Sequence, residues 1–262
     1  MDKLRLTAHI KDIELKNKMY KVIDKANNCL KNYDIKTTEF LNPFEVKNAI
    51  DILNSENDLK YKVDGGYEDS ERKIIYIFPY YIEQDDVGGG IKVIQIEGNF
   101  KFKSISHKDY LGALLGLGIK REKIGDILIH NNFCQVIVSE DICDFIVINL
   151  TKVSRNNVKV KEIAVEDIVK NELEFKEISF TVSSPRIDSI ISGVYNLSRT
   201  ESVKLIKNER VNIDYEKVTS PSKEIKDHSL ISVRGYGRVI VDIGDLTKKG
   251  RIKVKGKIIL VV

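Results

Sequence analysis

Two helix-start signals set one short helix apart, with only short β-branched runs after them, constrain the end of this chain more than any other feature. Ser184-Pro185 pairs a capping side chain with the residue suited to the first helical position. Ile187, Ile190, Ile191 and Val194 then recur at i, i+3, i+4 and i+7, one apolar helix face, with Arg186 and Asp188 at the helix entry. Ser198 and Glu201 have the spacing of a capping box, so a second helix starts at once, carrying Val203 and Ile206 inward and Lys204 and Lys207 on one outer face. Val211 to Ile213, Leu230 to Arg234 and Val239 to Val241 read as strands. In the tail, Arg251, Lys253, Lys255 and Lys257 alternate with Ile252, Val254 and Ile258, so an extended strand would carry a basic stripe backed by core. This helix-helix-strand order sets basic groups near helix N-termini, which suit phosphate.

Charge points the same way. The chain has a net charge of only +4. From Val182 onward there are 16 Lys and Arg against 9 Asp and Glu, net +7, whereas residues 1–181 carry 27 against 30, net −3. A surplus confined to one end indicates a polyanionic partner, nucleic acid rather than membrane, since no amphipathic helix with a basic polar face accompanies it. With 42% hydrophobic and 31% charged residues the composition is that of a globular protein. No run of about 18 apolar residues is present, and MDKLRLTAHIKDIELKNK is too charged for a signal peptide, so a cytoplasmic location is expected. Cys29, Cys134 and Cys143 sit in apolar patterns without metal-ligand spacing and read as reduced packing residues.

Upstream, Ile10 to Tyr33 has a helical period, with Ile13, Tyr20, Ile23, Asn27 and Leu30 on one face, and Asn42-Pro43-Phe44-Glu45 starts a second helix running to Leu53. Lys73 to Phe78 and Ile91 to Ile96 are strand-like, joined by a loop from Gln84 to Gly90. Ser106 to Asp109 opens a helix through Leu111, Leu114 and Leu115 that ends at Gly116 to Gly118. Lys120, Arg121 and Lys123 form a basic corner before a hairpin of Ile127 to Ile129 and Cys134 to Val138. Ser139 starts a third helix with Ile142, Phe145, Ile146 and Leu150 inward, and Val158 to Ile163 and Leu173 to Val182 are expected to close this region as strands. The fold class is therefore α+β: a mainly helical N-terminal domain (1–72), an α+β middle domain (73–181) and a helix-helix-sheet C-terminal domain (182–262).

Specific residues of the last domain resemble the S-four RNA-binding domain, first recognised in a small-subunit ribosomal protein. They are Arg186-Ile187-Asp188, Leu197-Ser198-Arg199, Leu205-Ile206, Val211-Asn212-Ile213 and Ser232 to Arg238, SVRGYGR. The chain departs from that pattern at Glu209 and Asp214, where the family usually has Gly and often has Asn, and at His228-Ser229, where it has Gly-Asp. The run HKDYLGALLGLGIKREKIGDIL from His107 to Leu128, with GGYEDSERK and FLNP before it, resembles the bacterial YlmH-like family. The resemblance implies an N-terminal domain, an RNA-binding middle domain and a C-terminal S-four domain with its αL RNA-binding motif. It also implies a non-enzymatic RNA-binding protein that acts on ribosomal RNA or tRNA at the large ribosomal subunit, in quality control of subunits holding peptidyl-tRNA.

No catalytic set accompanies these features. Gly116-Leu117-Gly118 follows a helix rather than a strand and has Arg121 at the third glycine position, so it is not a dinucleotide fingerprint. His107 beside Asp109 lacks a nucleophile pattern and reads as a capping or packing residue. No catalytic residue, metal or cofactor is expected, and a monomer is favoured. The expected RNA-binding residues are Arg186, Ser198, Arg199, Lys204, Lys207, Arg234, Tyr236, Arg238, Arg251, Lys253, Lys255 and Lys257, with Tyr236 available to stack on a base. His107, Lys120, Arg121 and Lys123 form a possible second contact. The competing class is an RNA-modifying enzyme, of the pseudouridine synthase or methyltransferase type, that would use the S-four domain to hold its substrate.

Overall fold

Most helix starts in the computed structural model follow local capping chemistry, and the model describes residues 1–98, 105–171 and 174–260. It divides into two units, residues 1–171 and 172–262. The first begins with α1 (Lys3–Leu6) and α2 (Ile13–Asn32), each opened by an aspartate, Asp2 and Asp12, that accepts backbone amides. Next come β1 (Lys36–Thr37) and α3 (Pro43–Leu53), the latter opened by a reciprocal Asn42–Glu45 capping box with proline in its first turn. β2 (Leu59–Asp64) and β3 (Ile74–Pro79) follow and complete an antiparallel sheet in the order β1-β3-β2.

Every residue of β3 is buried because both of its faces are covered. Ile75 and Ile77 pack into the core of α2 and α3, while Ile74, Tyr76 and Phe78 pack with Val93 and Ile137. Such two-sided burial explains a continuous apolar run in place of alternation. Thus the strand expected in the middle domain belongs to the N-terminal sheet, and residues 1–72 are less purely helical than expected. The buried face of α2 is Met19, Val22, Ile23, Ala26 and Cys29, rotated from the expected one, with Ile13 left exposed.

The remainder of the first unit is β4 (Ile91–Gly98), α4 (His107–Gly116), β5 (Ile124–Ile129), β6 (Phe133–Ser139), α5 (Cys143–Asn149), β7 (Lys152–Val153) and β8 (Asn156–Ile163). Its strands form an antiparallel sheet in the order β5-β6-β4-β8-β7. Tyr110 and Leu114 of α4 and Cys143 and Ile146 of α5 share a core with Ile94, Ile96, Val136 and Val138. Phe145, expected inward, is instead exposed, as is Ile148. All three cysteines are buried and unpaired, as their apolar surroundings led one to expect.

The second unit starts with β9 (Glu174–Val182), followed by α6 (Ile187–Tyr195), α7 (Arg199–Lys207), β10 (Val211–Ile213), β11 (Glu216–Lys217), β12 (Ser229–Val233), β13 (Gly237–Leu246) and β14 (Ile252–Leu260). These strands form one sheet in the order β11-β10-β12-β13-β14-β9. The strand expected to close the middle domain therefore pairs along its length with β14, from Val182 opposite Ile252 to Glu174 opposite Leu260; Leu173 lies outside the described residues. The α6 apolar face, Ile187, Ile190, Ile191 and Val194, packs with Val211, Ile231, Val239, Val241 and Val254. The cap of α6 is Arg186, so Pro185 precedes the helix instead of opening it. Asn196, in the left-handed region at φ 52°, ends α6 and lets Ser198 cap α7 almost immediately. Glu209, Asp214 and His228, the positions that depart from the S-four pattern, all have left-handed φ, 55°, 48° and 59°. Among the described residues no helix is long and apolar enough to cross a membrane.

Candidate nucleic-acid interface

A buried acid on α6 organises a cationic corner of the second unit. Asp188 is only 4% exposed. Arg186 donates from Nε to its Oδ1 at 3.1 Å and from Nη2 to its Oδ2 at 3.0 Å, a two-point clamp. Arg199, at the start of α7, approaches Oδ2 at 3.4 Å and donates to Ser189 Oγ at 2.7 Å. Burial alone would raise the Asp188 carboxyl, but the Arg186 hydrogen bond and the charges of Arg199 and Arg186 outweigh it, so it titrates below the usual aspartate range. One buried carboxylate thus holds two half-exposed guanidinium groups and leaves their cluster one charge positive. Arg186, Asp188, Arg199, Thr200 and Val203 line an open cleft of about 380 Å³.

Ser198 caps α7 by accepting from Glu201 N at 3.2 Å, and its own N donates back to Glu201 Oε2 at 2.9 Å. That places Arg199 on the first turn and leaves Lys204 and Lys207 exposed on its outer surface. On the turn between β12 and β13, Arg234 and Tyr236 are exposed, and the Tyr236 ring lies 5.5 Å from that of Tyr195. Arg238 is half-buried, donates to Tyr215 Oη at 2.8 Å and lies over its ring, so it is tied into the unit. On β14, Lys253, Lys255 and Lys257 are exposed while Val254 and Gly256 are buried, the alternation expected of the stripe. Arg251, just before the strand, donates from Nε to Thr181 Oγ1 at 2.9 Å and from Nη2 to Thr181 O at 2.7 Å.

The basic corner of the first unit is largely engaged within it. Arg121 turns onto the Ile124 and Gly125 carbonyls, and burial, followed by the charge of Arg72, pushes its pKa down to about 10. Lys123 pairs with Asp141 at 2.6 Å and Glu39 at 3.2 Å. Lys120 is exposed and His107 half-buried. Of the possible second contact, this geometry turns Arg121 inward and leaves Lys120 as an exposed cation. Asp227, His228 and Asp242 bring ligand-type atoms within 4.8 Å of one another, yet His228 is already held by both acids, 2.6 Å from Asp242 and 3.3 Å from Asp227.

Asp188 and Thr181 were missed as contributors to this surface. For Asp188 a signal existed, since an acid flanked by Ile187 and Ile190 in a buried helical period requires a basic partner nearby. Thr181 gave none, because its contact with Arg251 spans 70 positions.

The fold is a mixed α/β one whose second unit carries a cationic surface. Residues 84–167 match the family model described as "Putative RNA-binding domain in YlmH", and residues 14–82 match "YlmH, N-terminal". A Bacillus subtilis protein named "Ribosome-associated protein quality control protein P2" is 32% identical over 223 residues, 85% of this chain and 86% of that protein. The solved structure "Cell division protein ylmH from Streptococcus pneumoniae" superposes with a TM-score of 0.51 at 25% identity, covering 60% of this chain and 96% of that one. The chain belongs to the YlmH family.

Proposed function

We propose that this protein is a ribosome-associated RNA-binding factor that engages large subunits carrying peptidyl-tRNA in ribosome-associated quality control, and that residues 182–262 are its S-four-type RNA-binding domain. The observation that carries the reading is the Arg186–Asp188–Arg199 cluster, which presents two braced guanidinium groups on a helix hairpin in the part of the chain with the +7 surplus. The left-handed turns at Glu209, Asp214 and His228 support the S-four assignment, since they fall where the pattern carries residues that favour such turns. The quality-control name of the Bacillus subtilis relative supports the ribosomal partner.

In this reading Arg186, Arg199, Lys204, Lys207, Arg234 and the Arg251 to Lys257 stripe contact phosphates, while Tyr236 stacks on a base. Phosphate contacts position RNA without reading sequence, so specificity falls to shape and stacked bases. Association with ribosomes places the protein in the cytoplasm. The test is gradient sedimentation of the intact chain in lysate enriched for large subunits bearing peptidyl-tRNA. The protein should travel with the large subunit at moderate salt and leave it at high salt; protein that stays at the top of the gradient at both would overturn the proposal.

A further inference from the structure

A second cleft, of about 310 Å³, adjoins the first and shares Arg199 with it. It lies where the end of β9 meets α6, and its polar lining comes from Thr181, Ser183, Ser189, Ser192, Arg199 and Arg251, with no Asp or Glu among the lining residues. The two guanidinium groups reach it by unrelated routes. Arg199 comes from the first turn of α7, braced on Ser189 and Asp188. Arg251 comes from the start of β14, braced on both the hydroxyl and the carbonyl of Thr181.

These braces restrict how each arginine is presented. Arg251 uses Nε and one Nη on neutral Thr181, and no carboxylate is among the described residues that line the cleft beside it. Arg199 shares one carboxylate with Arg186, and the four groups Arg186, Asp188, Arg199 and Arg251 sum to two positive charges. Like charges brought to one cleft repel each other unless an anion joins them. A tetrahedral oxyanion suits the lining, because guanidinium forks and hydroxyls match phosphate oxygens. The floor is closed by Gly193 against Phe180: a Cβ on Gly193 would come within 2.3 Å of that ring.

We infer that Arg199 and Arg251 hold a single phosphate group in common in this cleft. Resting on the RNA-binding reading above, the phosphate is one of the RNA backbone, and the strand passes from the helix hairpin to the start of the β14 stripe by way of β9. The separate basic features of α7 and β14 then form one continuous track, with Arg199 as the wall between its first two phosphate positions.

Shared contact has a signature that independent contacts lack. In the full chain, binding of a labelled structured RNA is measured at matched salt for the parent, Arg199→Gln, Arg251→Gln, the double variant, Lys257→Gln, and Arg251→Gln with Lys257→Gln, each checked for a native circular dichroism spectrum. Arg251→Gln should weaken binding by about tenfold, the loss of one charge-assisted contact. The Arg199/Arg251 double variant should lose several-fold less than the product of the singles, whereas Arg251→Gln and Lys257→Gln should multiply. Full multiplication for Arg199 and Arg251, or no loss from Arg251→Gln, overturns the inference while leaving RNA binding itself intact. If the parent binds no RNA, the functional reading falls first, and titration with inorganic phosphate then decides the cleft. Arginine Nε–H resonances of Arg199 and Arg251 shifting along one isotherm would identify a site for free phosphate; no shift in either would remove the site as well.

Discussion

At the residue scale, Asp188 decides how the cationic corner is held. Its folded-state pKa lies below the ordinary value, so its stabilising contribution is present above the unfolded pKa of about 3.9 and is lost as pH falls through the folded value. Asp188→Asn should therefore destabilise the second unit by about 1–3 kcal/mol at pH 7, a figure discounted because both arginines are partly exposed. Urea unfolding at pH 7 and pH 3 checks the sign: the gap from the parent should narrow at acid pH, and a gap unchanged by pH would show that packing, not the carboxylate charge, is at stake. Arg199→Glu is a poor probe of RNA binding, since it would set a second carboxylate beside a buried one. Backbone chemistry gives an independent case at Glu209, whose φ of 55° costs a non-glycine residue about 1–2 kcal/mol. Glu209→Gly should recover part of this, about 0.5–1 kcal/mol after the larger unfolded-state entropy of glycine. Its exposed pairing with Lys217 is too weak to offset the gain. A midpoint of unfolding that falls on Glu209→Gly would count against strain at that turn.

At the element scale, β9 joins the second unit through close contact as well as hydrogen bonds. Gly193 on α6 leaves room for Phe180 on β9, and because an aromatic ring cannot bend away like a flexible chain, Gly193→Ala should cost about 1–3 kcal/mol. Thermal unfolding of the parent and Gly193→Ala reads this directly; an unchanged midpoint would mean that β9 can move off the helix without penalty. The same element marks where sequence reading ended. Helices announced by local chemistry were legible: the Asn42–Glu45 and Ser198–Glu201 boxes are found at the starts of α3 and α7. The alternation of Lys253, Val254 and Lys255 likewise gave the stripe on β14. Strand partners were not legible, because the apolar run of β3 and the alternating pattern of β9 are each compatible with more than one sheet, and the hydrogen-bonded neighbour of β9, β14, lies far along the chain. The inward face of α5 was misjudged for a related reason, since Phe145 satisfies the helical period yet the sheet beneath receives Ile146 and leaves Phe145 outside. Within the candidate site, residue types and exposed lysines were readable, whereas the inward turn of Arg121 and the brace between Arg251 and Thr181 depend on tertiary placement.

At the scale of the whole molecule, the two units have separate cores: residues 178–258 supply all of one cluster, and the other three lie upstream of residue 171. Each unit thus has the apolar interior needed to fold as a piece. The second carries the cationic corner, while the region matched by the RNA-binding family model lies in the first. If both touch one RNA, linking them makes the second contact intramolecular, and affinity rises by effective concentration without any new contact. The intact chain should then bind large-subunit ribosomal RNA about a hundredfold or more tighter than either residues 1–171 or residues 172–262 at the same salt. The C-terminal piece should also keep a steep salt dependence, log K falling by roughly 0.7–0.9 per phosphate for each decade of salt. Titrations of the three chains over a range of salt separate the cases. An intact chain no tighter than its better piece would confine RNA contact to one unit, and a flat salt response of residues 172–262 would remove the cationic surface from the interaction altogether.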